Sequence, residues 1–398
     1  MTTNPQPSRP APARILPVIT IAQFAGTSVW FAANAVMPEL QRDLHLPAAA
    51  VGTLTSAVQL GFICGTLLFA LLAIADRYSP RRVFLLCSLA AAACAVGTAL
   101  LPPQLATLVT LRALTGFFLA GIYPVGMKIA ASWYGRGLGA ALGLMLGALV
   151  IGTATPHGLR AMGTQLPWQV VMFGVALLAA AGGLLLYLLV PDSPHAPPVG
   201  AAGAGLNWRA LGSIWLDRRV RASVFGYFGH MWELYTFWVF VPVILATRLP
   251  AGQVSLASFA VIAIGGLSSA ACGLAARRWG SAAVAFSQLA TSGLCCIAAP
   301  AMLPAGNWGF GLWIGLWGAT VASDSPQFSA LTAHNAPPTA VGSVLTLSNS
   351  IGFAISIVSI QLFVELAQTR PLASLLPWLG IGPLFGLAAL WPLVRERA

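Results

Sequence analysis

The feature that most constrains this chain is a series of long stretches without a charged residue. Such stretches run over residues 46–75, 83–111, 161–191 and 249–276. About 20 apolar residues of helix cross the hydrocarbon core of a bilayer, so each stretch is long enough to span a membrane. Of the 398 residues, 58% are hydrophobic and 7% are charged, which is too few charges to solvate a soluble domain. The sequence therefore predicts an all-α polytopic membrane protein.

Prolines, glycines and charged residues divide the chain into twelve predicted transmembrane helices. The uncharged stretch 279–323 is too long for one crossing, and Pro300 and Pro304 divide it into two helices. The predicted helices cover residues 16–38, 48–75, 83–101, 105–131, 138–158, 168–190, 221–246, 253–276, 281–303, 307–330, 341–364 and 372–393. The predicted domains are a tail (1–14), a six-helix bundle (15–190), a linker (191–220), a second six-helix bundle (221–394) and a tail (395–398).

The arginines between the predicted helices lie mostly in alternate connections. If the N-terminus is cytoplasmic, fourteen arginines lie in cytoplasmic segments and four in periplasmic segments. Because cytoplasmic loops are rich in Lys and Arg, we expect a protein of the bacterial inner membrane with both termini cytoplasmic. Residues near Ala202 should then be cytoplasmic and those near Leu249 periplasmic. This distribution accounts for the net charge of +11, so no nucleic-acid partner is expected.

The two predicted six-helix halves resemble each other. A shift of 204 residues places residues 24–38 on residues 228–242 and matches the Phe and the Pro at the two ends. A basic loop follows the second helix of each half, at residues 76–82 and 277–280. Duplicated six-helix halves are typical of secondary transporters, which bind a solute between the halves and expose it alternately to the two sides.

Three motifs resemble those of the major facilitator superfamily. The loop ADRYSPRR at residues 75–82 is similar to its cytoplasmic gate motif, although Leu72 stands where a Gly is usual. Residues 111–116 (LRALTG) resemble its motif with a membrane-embedded arginine, and residues 123–143 resemble its join of the fourth and fifth helices. The resemblance implies two pseudo-symmetric bundles of six helices.

The resemblance also implies roles for charged residues. Arg112 would couple conformational change to protons or substrate, whereas the alternative is an arginine that extends to the outer headgroups. We interpret Lys128 as an anchor at the membrane interface. The gate residues would pair across the seam between the halves, or would only set the orientation of the chain. They are Asp76, Arg77, Arg81 and Arg82.

Two departures from the drug exporters of this superfamily bear on the direction of transport. Their Gly-Pro motif in the fifth helix is not reproduced, because Pro156 comes late in that helix. In the first helix Asn34 precedes Pro38 as it does in drug exporters, but Val29 replaces their acidic residue. The shift of 204 residues places Val29 on Glu233. Because the Gly-Pro motif of the exporters is missing, import is slightly favoured over export.

Glu233 and His230 are predicted to carry protons. Glu233 lies about thirteen residues into the seventh helix, near the middle of the membrane, where a charged side chain costs about 3 kcal/mol or more. His230 lies three residues earlier on the same helix face, and an imidazole titrates near neutral pH. The alternative is a structural hydrogen bond between helices.

Asp324 lies in the tenth helix within SDSPQ, where Pro326 is expected to break or kink the helix. Asp324 is predicted to lie in the cytoplasmic half of that helix. It would either bind substrate or a proton, or pair as a gate residue with the basic loops.

Polar residues in the membrane helices are candidates for solute binding. In the first helix Gln23, Thr27, Ser28 and Asn34 share one helix face. The predicted solute-binding residues are Gln23, Thr27, Asn34, Gln59, Tyr235, Trp238, Asp324 and Asn349, with Gln288 as a further candidate. Polar side chains in membrane helices also hold helices together, which is the alternative for each of them.

The sequence therefore predicts a secondary transporter that moves a small organic solute, coupled to protons. The alternatives are a proton-driven efflux pump for drugs or metabolites, and a channel or receptor. No spacing of an enzyme active site or zinc site is found, and the six cysteines are interpreted as packing residues. We expect no cofactor, and we expect a monomer whose partners are the solute, protons and the bilayer.

Overall fold

The structure is a computed structural model that describes residues 12–102, 104–134, 138–163, 166–194 and 205–395. The regular structure in these residues is helical, and most of it forms twelve spans that we number in chain order. They are span 1 (Ile15–Thr27 and Ala32–Ala35), span 2 (Ala50–Leu71), span 3 (Pro80–Leu100), span 4 (Leu105–Leu119 and Tyr123–Trp133), span 5 (Leu138–Met162), span 6 (Gln169–Leu189), span 7 (Arg218–Ala246), span 8 (Ala251–Trp279), span 9 (Ser281–Met302), span 10 (Asn307–Val321 and Ser325–Asn335), span 11 (Val341–Leu366) and span 12 (Leu372–Leu375, Leu376–Gly380 and Ile381–Arg395). Short helices outside the spans are Met37–Asp43, Ile74–Arg77 and Ala210–Leu216.

The predicted twelve-helix architecture is confirmed. Ten helices, with each of spans 4 and 12 counted as one, are long and apolar enough to cross a membrane. Spans 1 and 10 are the other two, and each consists of shorter helical segments. An even number of spans brings the described ends of the chain to one face of the bundle. We call this the termini face and the other side the opposite face.

Three spans are interrupted near their middle. Span 1 is interrupted at residues 28–31, span 4 at 120–122 and span 10 at 322–324. The second segments of spans 4 and 10 carry Pro124 and Pro326 in their first turn. Proline is well accommodated there because the first N–H groups of a helix have no intrahelical acceptor. The break in span 10 agrees with the sequence prediction, whereas the predicted continuous helices 16–38 and 105–131 were wrong.

The repeat similarity of spans 1 and 7 does not extend to their backbones. Residues 24–38 contain the interruption of span 1, while residues 228–242 lie inside the continuous helix of span 7. Residues that the shift of 204 makes equivalent therefore lie on an interrupted helix in the first half and on a continuous helix in the second half.

Spans 5 and 8 pack along each other, as do spans 2 and 11, and these two pairs form most of the contact between the first six and the last six spans. Glycines allow spans 5 and 8 to approach closely. A methyl group on Gly147 would lie 2.6 Å from the carbonyl oxygen of Gly266. A methyl group on Gly143 would lie 3.7 Å from its nearest atom, the Cα of Gly273.

The connection between the halves contains the short helix Ala210–Leu216, and residues 195–204 lie outside the described part of the chain. Trp215 and Leu216 are exposed, which suits a short helix that lies at the membrane interface. Asp217 then caps span 7, because its side chain accepts hydrogen bonds from the N–H groups of Arg219 and Val220.

Candidate functional site

A cavity lies between the two halves, midway along the spans. Its volume of about 30 Å³ gives room for about two water molecules. A solute therefore fits only when the surrounding helices move apart. The lining residues come from spans 4, 5, 7, 10 and 11, and are Tyr123, Leu146, Leu149, Val150, Tyr227, Met231, Leu234, Tyr235, Trp238, Ala322, Ser325, Ser329, Asn349 and Phe353.

Aromatic rings from both halves close the cavity toward the opposite face. Trp30, in the interruption of span 1, stacks on Tyr235 and Phe353 with ring centroids 6.1 and 5.8 Å apart. The ring centroid of Phe62 in span 2 lies 4.6 Å from that of Phe353, and the ring centroid of Trp238 lies 5.2 Å from that of Tyr235. We call these five residues the aromatic roof. Because span 1 is interrupted here, its rings reach across to the second half.

Spans 2 and 11 extend this closure to the opposite face. Near that face, the side chain of Val364 packs on Gly52. Further along, Gln361 Nε2 donates a hydrogen bond of 2.8 Å to Ser56 Oγ, and Ser356 Oγ donates to the amide oxygen of Gln59. The two halves are therefore in contact from the aromatic roof to the opposite face.

Glu233 lies inside the second half and is 1% exposed. Its carboxylate accepts hydrogen bonds from Trp317 Nε1 at 2.6 Å, Ser292 Oγ at 2.9 Å and Cys296 Sγ at 3.3 Å. Spans 9 and 10 supply these three donors, and all three are neutral. The carboxylate of span 7 is thus held by hydrogen bonds from two neighbouring spans, without an arginine or lysine among these partners.

His230 and Asp324 form a second buried pair, one helical turn from Glu233. His230 Nδ1 lies 2.8 Å from Asp324 Oδ1, and their side chains are 1% and 0% exposed. Asp324 is the last residue of the interruption in span 10, so the pair connects this interruption to span 7. Beside it, Ser323 Oγ donates a hydrogen bond of 2.9 Å to Gln288 Oε1 of span 9.

These buried ionisable groups lie behind the cavity wall. Ala322 and Ser325, on either side of the Ser323–Asp324 dipeptide, line the cavity, but Asp324 itself points to His230. Within the described part of the chain, no charged residue lines the cavity. The ionisable cluster of Glu233, His230 and Asp324 is therefore separate from the cavity and shares a helix wall with it.

Arg112 stabilises the interruption of span 1. It is 4% exposed, and its guanidinium donates to the carbonyl oxygen of Val29 at 2.9 Å and to that of Trp30. A helix interruption leaves carbonyl groups without backbone donors, and the fork of an arginine supplies two donors in fixed geometry. The alternative of an arginine extending to the headgroups is wrong, because the side chain is buried inside the first half.

Comparison with known proteins decides the family. The Major Facilitator Superfamily pattern matches residues 19–360, which is most of the chain. This chain belongs to the major facilitator superfamily. It is therefore a multi-pass membrane solute transporter. No curated protein matches the chain in a sequence search.

Solved structures of other superfamily transporters share the fold. The human organic anion transporter MFSD10 (TETRAN) is 16% identical and superimposes with a TM-score of 0.70, covering 95% of this chain and 99% of its own. A mutant of the nucleoside transporter NupG is 15% identical with a TM-score of 0.69, covering 96% of this chain and 99% of its own. At these identities the similarity concerns the fold alone.

The structure places the predicted gate residues of the superfamily motif within the first half. Asp76 accepts a salt bridge from Lys128, which also donates to the carbonyl oxygen of Ala75 at 2.7 Å. Arg81 pairs with Asp192 at 3.2 Å. Lys128 is thus a partner of the gate loop. Arg77 and Arg82 are exposed, and no ion pair across the halves is recorded for the gate residues in the described structure.

Three of the eight predicted solute-binding residues line the cavity, namely Tyr235, Trp238 and Asn349. Asp324 faces His230 instead, and Gln59 accepts from Ser356 across the halves.

The three predicted residues of span 1 are buried within the first half. Asn34 Nδ2 donates to Thr55 Oγ1 at 2.8 Å, and Thr27 Oγ1 donates to the carbonyl oxygen of Gln23 at 2.9 Å. The side chain of Gln23 is fully buried and packs near Gly126. The hydrogen bond from Asn34 to Thr55 joins span 1 to span 2, as polar side chains that hold helices together do.

Sequence reasoning missed the three donors to Glu233. Cys296 was interpreted only as a packing residue, yet its thiol donates to the carboxylate. Ser292 and Cys296 lie four residues apart, which is one turn of span 9, and Trp317 lies on span 10. The one available signal was that a buried carboxylate requires donors from its neighbours.

Proposed function

We propose that this superfamily transporter couples uptake of a small organic solute to protons. Two fully buried carboxylates, Glu233 and Asp324, carry the proposal. Their partners are one histidine and neutral donors, so no arginine or lysine among them compensates both negative charges. A buried carboxylate without a permanent counter-ion can be neutralised by binding a proton, which makes proton binding a means of changing the local structure.

Alternating access follows from the geometry of the closure. The contacts of the aromatic roof and of spans 2 and 11 close the route to the opposite face. A solute reaching the cavity from that face requires these contacts to separate. The His230–Asp324 pair connects span 7, which contributes two roof residues, to the interruption of span 10. A change of its protonation would therefore act on helices that both close the cavity and line it.

We assign the termini face to the cytoplasm of a bacterial cell, which makes the opposite face periplasmic. The fourteen arginines that the sequence assigns to cytoplasmic segments support this orientation. Cysteine labelling tests it, with Ala202→Cys expected to react only from the inside and Leu249→Cys only from the outside. Reaction of Ala202→Cys from the outside would reverse the orientation. Ala202 lies outside the described residues.

The test of coupling is solute uptake by purified protein in lipid vesicles. A solute library is offered under an inward pH gradient, an outward pH gradient and no gradient. We expect accumulation against a concentration gradient only when protons flow inward with the solute. Accumulation driven by the outward pH gradient would establish export in place of import. Accumulation that ignores the pH gradient would refute proton coupling.

Glu233→Gln is the decisive variant. The amide oxygen can accept from Trp317, and Ser292 can accept from the amide NH₂ because its own O–H has a second acceptor, the carbonyl oxygen of Leu289. The fold should therefore persist. We expect gradient-driven accumulation to be lost while exchange of labelled solute between the two sides survives. The matched control is Glu365→Gln, which changes a carboxylate whose recorded partner is Gln368, at the end of span 11. Wild-type accumulation in Glu233→Gln would move the proton role to Asp324.

A further inference from the structure

The cavity has a chemical character that restricts its substrate. Every charged side chain in the membrane core near it has a partner elsewhere. Arg112 donates to backbone carbonyl groups inside the first half, and Glu233 and Asp324 are held inside the second half. A charged solute entering this cavity would lose its water without gaining a counter-ion, which disfavours its binding.

The cavity nevertheless offers polar groups that have no protein partner. The structure records no hydrogen bond for the side chains of Ser325, Ser329 and Asn349 within the described residues, although all three line the cavity. Trp238 also lines it, is 2% exposed, and its indole N–H has no partner in the described structure. A buried indole N–H is normally satisfied, so this donor is available to a ligand, as are the polar side chains of the half-buried Ser325, Ser329 and Asn349.

The rest of the wall is largely aromatic. Tyr123, Tyr227 and Tyr235 come from spans 4 and 7, so that phenol rings from both halves face one space. Trp238 and Phe353 complete this wall at the aromatic roof. Aromatic side chains favour a planar ring that stacks on them, and phenols add hydrogen bonds at the ring edge.

We infer that the cavity binds an uncharged solute that combines a planar ring with several hydroxyl or amide groups. This inference rests on the proposed transport function and names its substrate class. The planar ring stacks between the tyrosines and the roof, while the polar groups pair with Ser325, Ser329, Asn349 and Trp238. The solute carries no charge because the cavity has none to offer it.

The test uses three phenyl glycosides that differ in the charge of one group on the sugar. Phenyl glucoside carries a neutral hydroxymethyl group, phenyl glucuronide carries a carboxylate at that carbon, and the amino analogue carries an ammonium group there. Methyl glucoside keeps the sugar but lacks the ring. Binding is measured as the rise in the midpoint temperature of unfolding of the purified full-length protein. We expect phenyl glucoside to bind at least about tenfold more tightly than each of the other three, which corresponds to about 1.4 kcal/mol.

Two variants separate a specific site from general stabilisation. Trp238→Phe keeps a ring but removes the unpartnered N–H, and should weaken binding of phenyl glucoside. Trp308→Phe changes a residue that is 88% exposed and lies outside the cavity, and should leave binding unchanged. Equal effects of the two variants would count against the site.

Tighter binding of the carboxylate or the ammonium analogue would overturn the inference, as would a lack of binding by all four compounds. Failure of the proposed function has a different signature. If phenyl glucoside binds but its accumulation in vesicles ignores the pH gradient, the substrate class stands and the coupling fails. If a charged solute accumulates with the pH gradient, the coupling stands and the substrate class fails.

Discussion

The indole N–H of Trp317 donates a hydrogen bond of 2.6 Å to the carboxylate of Glu233, which joins span 10 to span 7 inside the second half. The ring centroid of Trp317 also lies 4.4 Å from that of Phe237, which follows Glu233 by one turn of span 7. The carboxylate is thereby fixed both by a donor and by packing of the donor's ring. This contact makes Trp317 a positioning residue for Glu233.

The first prediction compares two tryptophans of span 10. Trp317→Phe removes a donor to a carboxylate, whereas Trp313→Phe removes a donor to the carbonyl oxygen of Cys295. Hydrogen bonds to charged groups contribute about 1.5–3 kcal/mol and those between neutral groups about 0.5–1.5 kcal/mol. We expect Trp317→Phe to lower the free energy of unfolding more than Trp313→Phe, measured by denaturant unfolding in detergent. Equal losses would mean that the hydrogen bond from Trp317 to Glu233 contributes no more than one between neutral groups.

The second prediction concerns the His230–Asp324 pair. If the two side chains act together, Asp324→Asn and His230→Gln should each reduce gradient-driven uptake, and the double variant should be little worse than either one. A double-mutant cycle on stability should give a coupling energy of about 0.5–3 kcal/mol. The control is a second cycle that combines His157→Gln with Asp324→Asn, because His157 is a buried histidine of span 5. Additive effects of His230→Gln and Asp324→Asn would refute a functional pair.

The third prediction concerns the glycines between spans 5 and 8. The methyl group of Gly147→Ala would meet the carbonyl oxygen of Gly266 at 2.6 Å, while that of Gly143→Ala has 3.7 Å to its nearest atom. Overpacking costs about 1–3 kcal/mol. We expect Gly147→Ala to lower the midpoint temperature of unfolding and the transport rate, and Gly143→Ala to leave both near wild type. Tolerance of Gly147→Ala would show that the two halves are less closely packed there.

The fourth prediction concerns Arg112. Arg112→Lys keeps the positive charge but loses the fork that reaches the carbonyl groups of both Val29 and Trp30. We expect a loss of about 1–3 kcal/mol in the free energy of unfolding, because a buried carbonyl group is left without a donor. Arg42→Lys, at an exposed position, should cost less than about 0.5 kcal/mol. Similar values for the two variants would show that Arg112 acts through its charge alone.

Much of the fold could be predicted because hydrophobic length is a property of the chain itself. Uncharged stretches located the twelve spans, and Pro326 indicated the break in span 10. The interruption of span 1 carries no such signal, since no proline or glycine lies in residues 28–31. It depends on Arg112, more than 80 residues away, which supplies donors to the freed carbonyl groups.

Less of the candidate site could be predicted from the sequence, because the partners of a side chain depend on tertiary packing. The burial of Glu233 and Asp324 follows from their place within apolar stretches, but their partners depend on how the helices rotate against each other. Gln59 and Tyr235 look alike in the sequence as polar groups within a span. Helix packing places Tyr235 on the cavity, while Gln59 accepts a hydrogen bond from Ser356. Helical periodicity gives a face of a helix, and the neighbour of that face comes only from the tertiary structure.

The aromatic roof should make the proposed transport cycle sensitive to temperature. Separation of Trp30 and Phe62 from Tyr235 and Phe353 would expose their rings to water, and hydration of apolar surface raises the heat capacity. The equilibrium between closed and open forms of the opposite face should therefore follow a curved van't Hoff plot. The enthalpy of opening would rise as the membrane warms, so the same protein would favour different conformations in cold and warm cells.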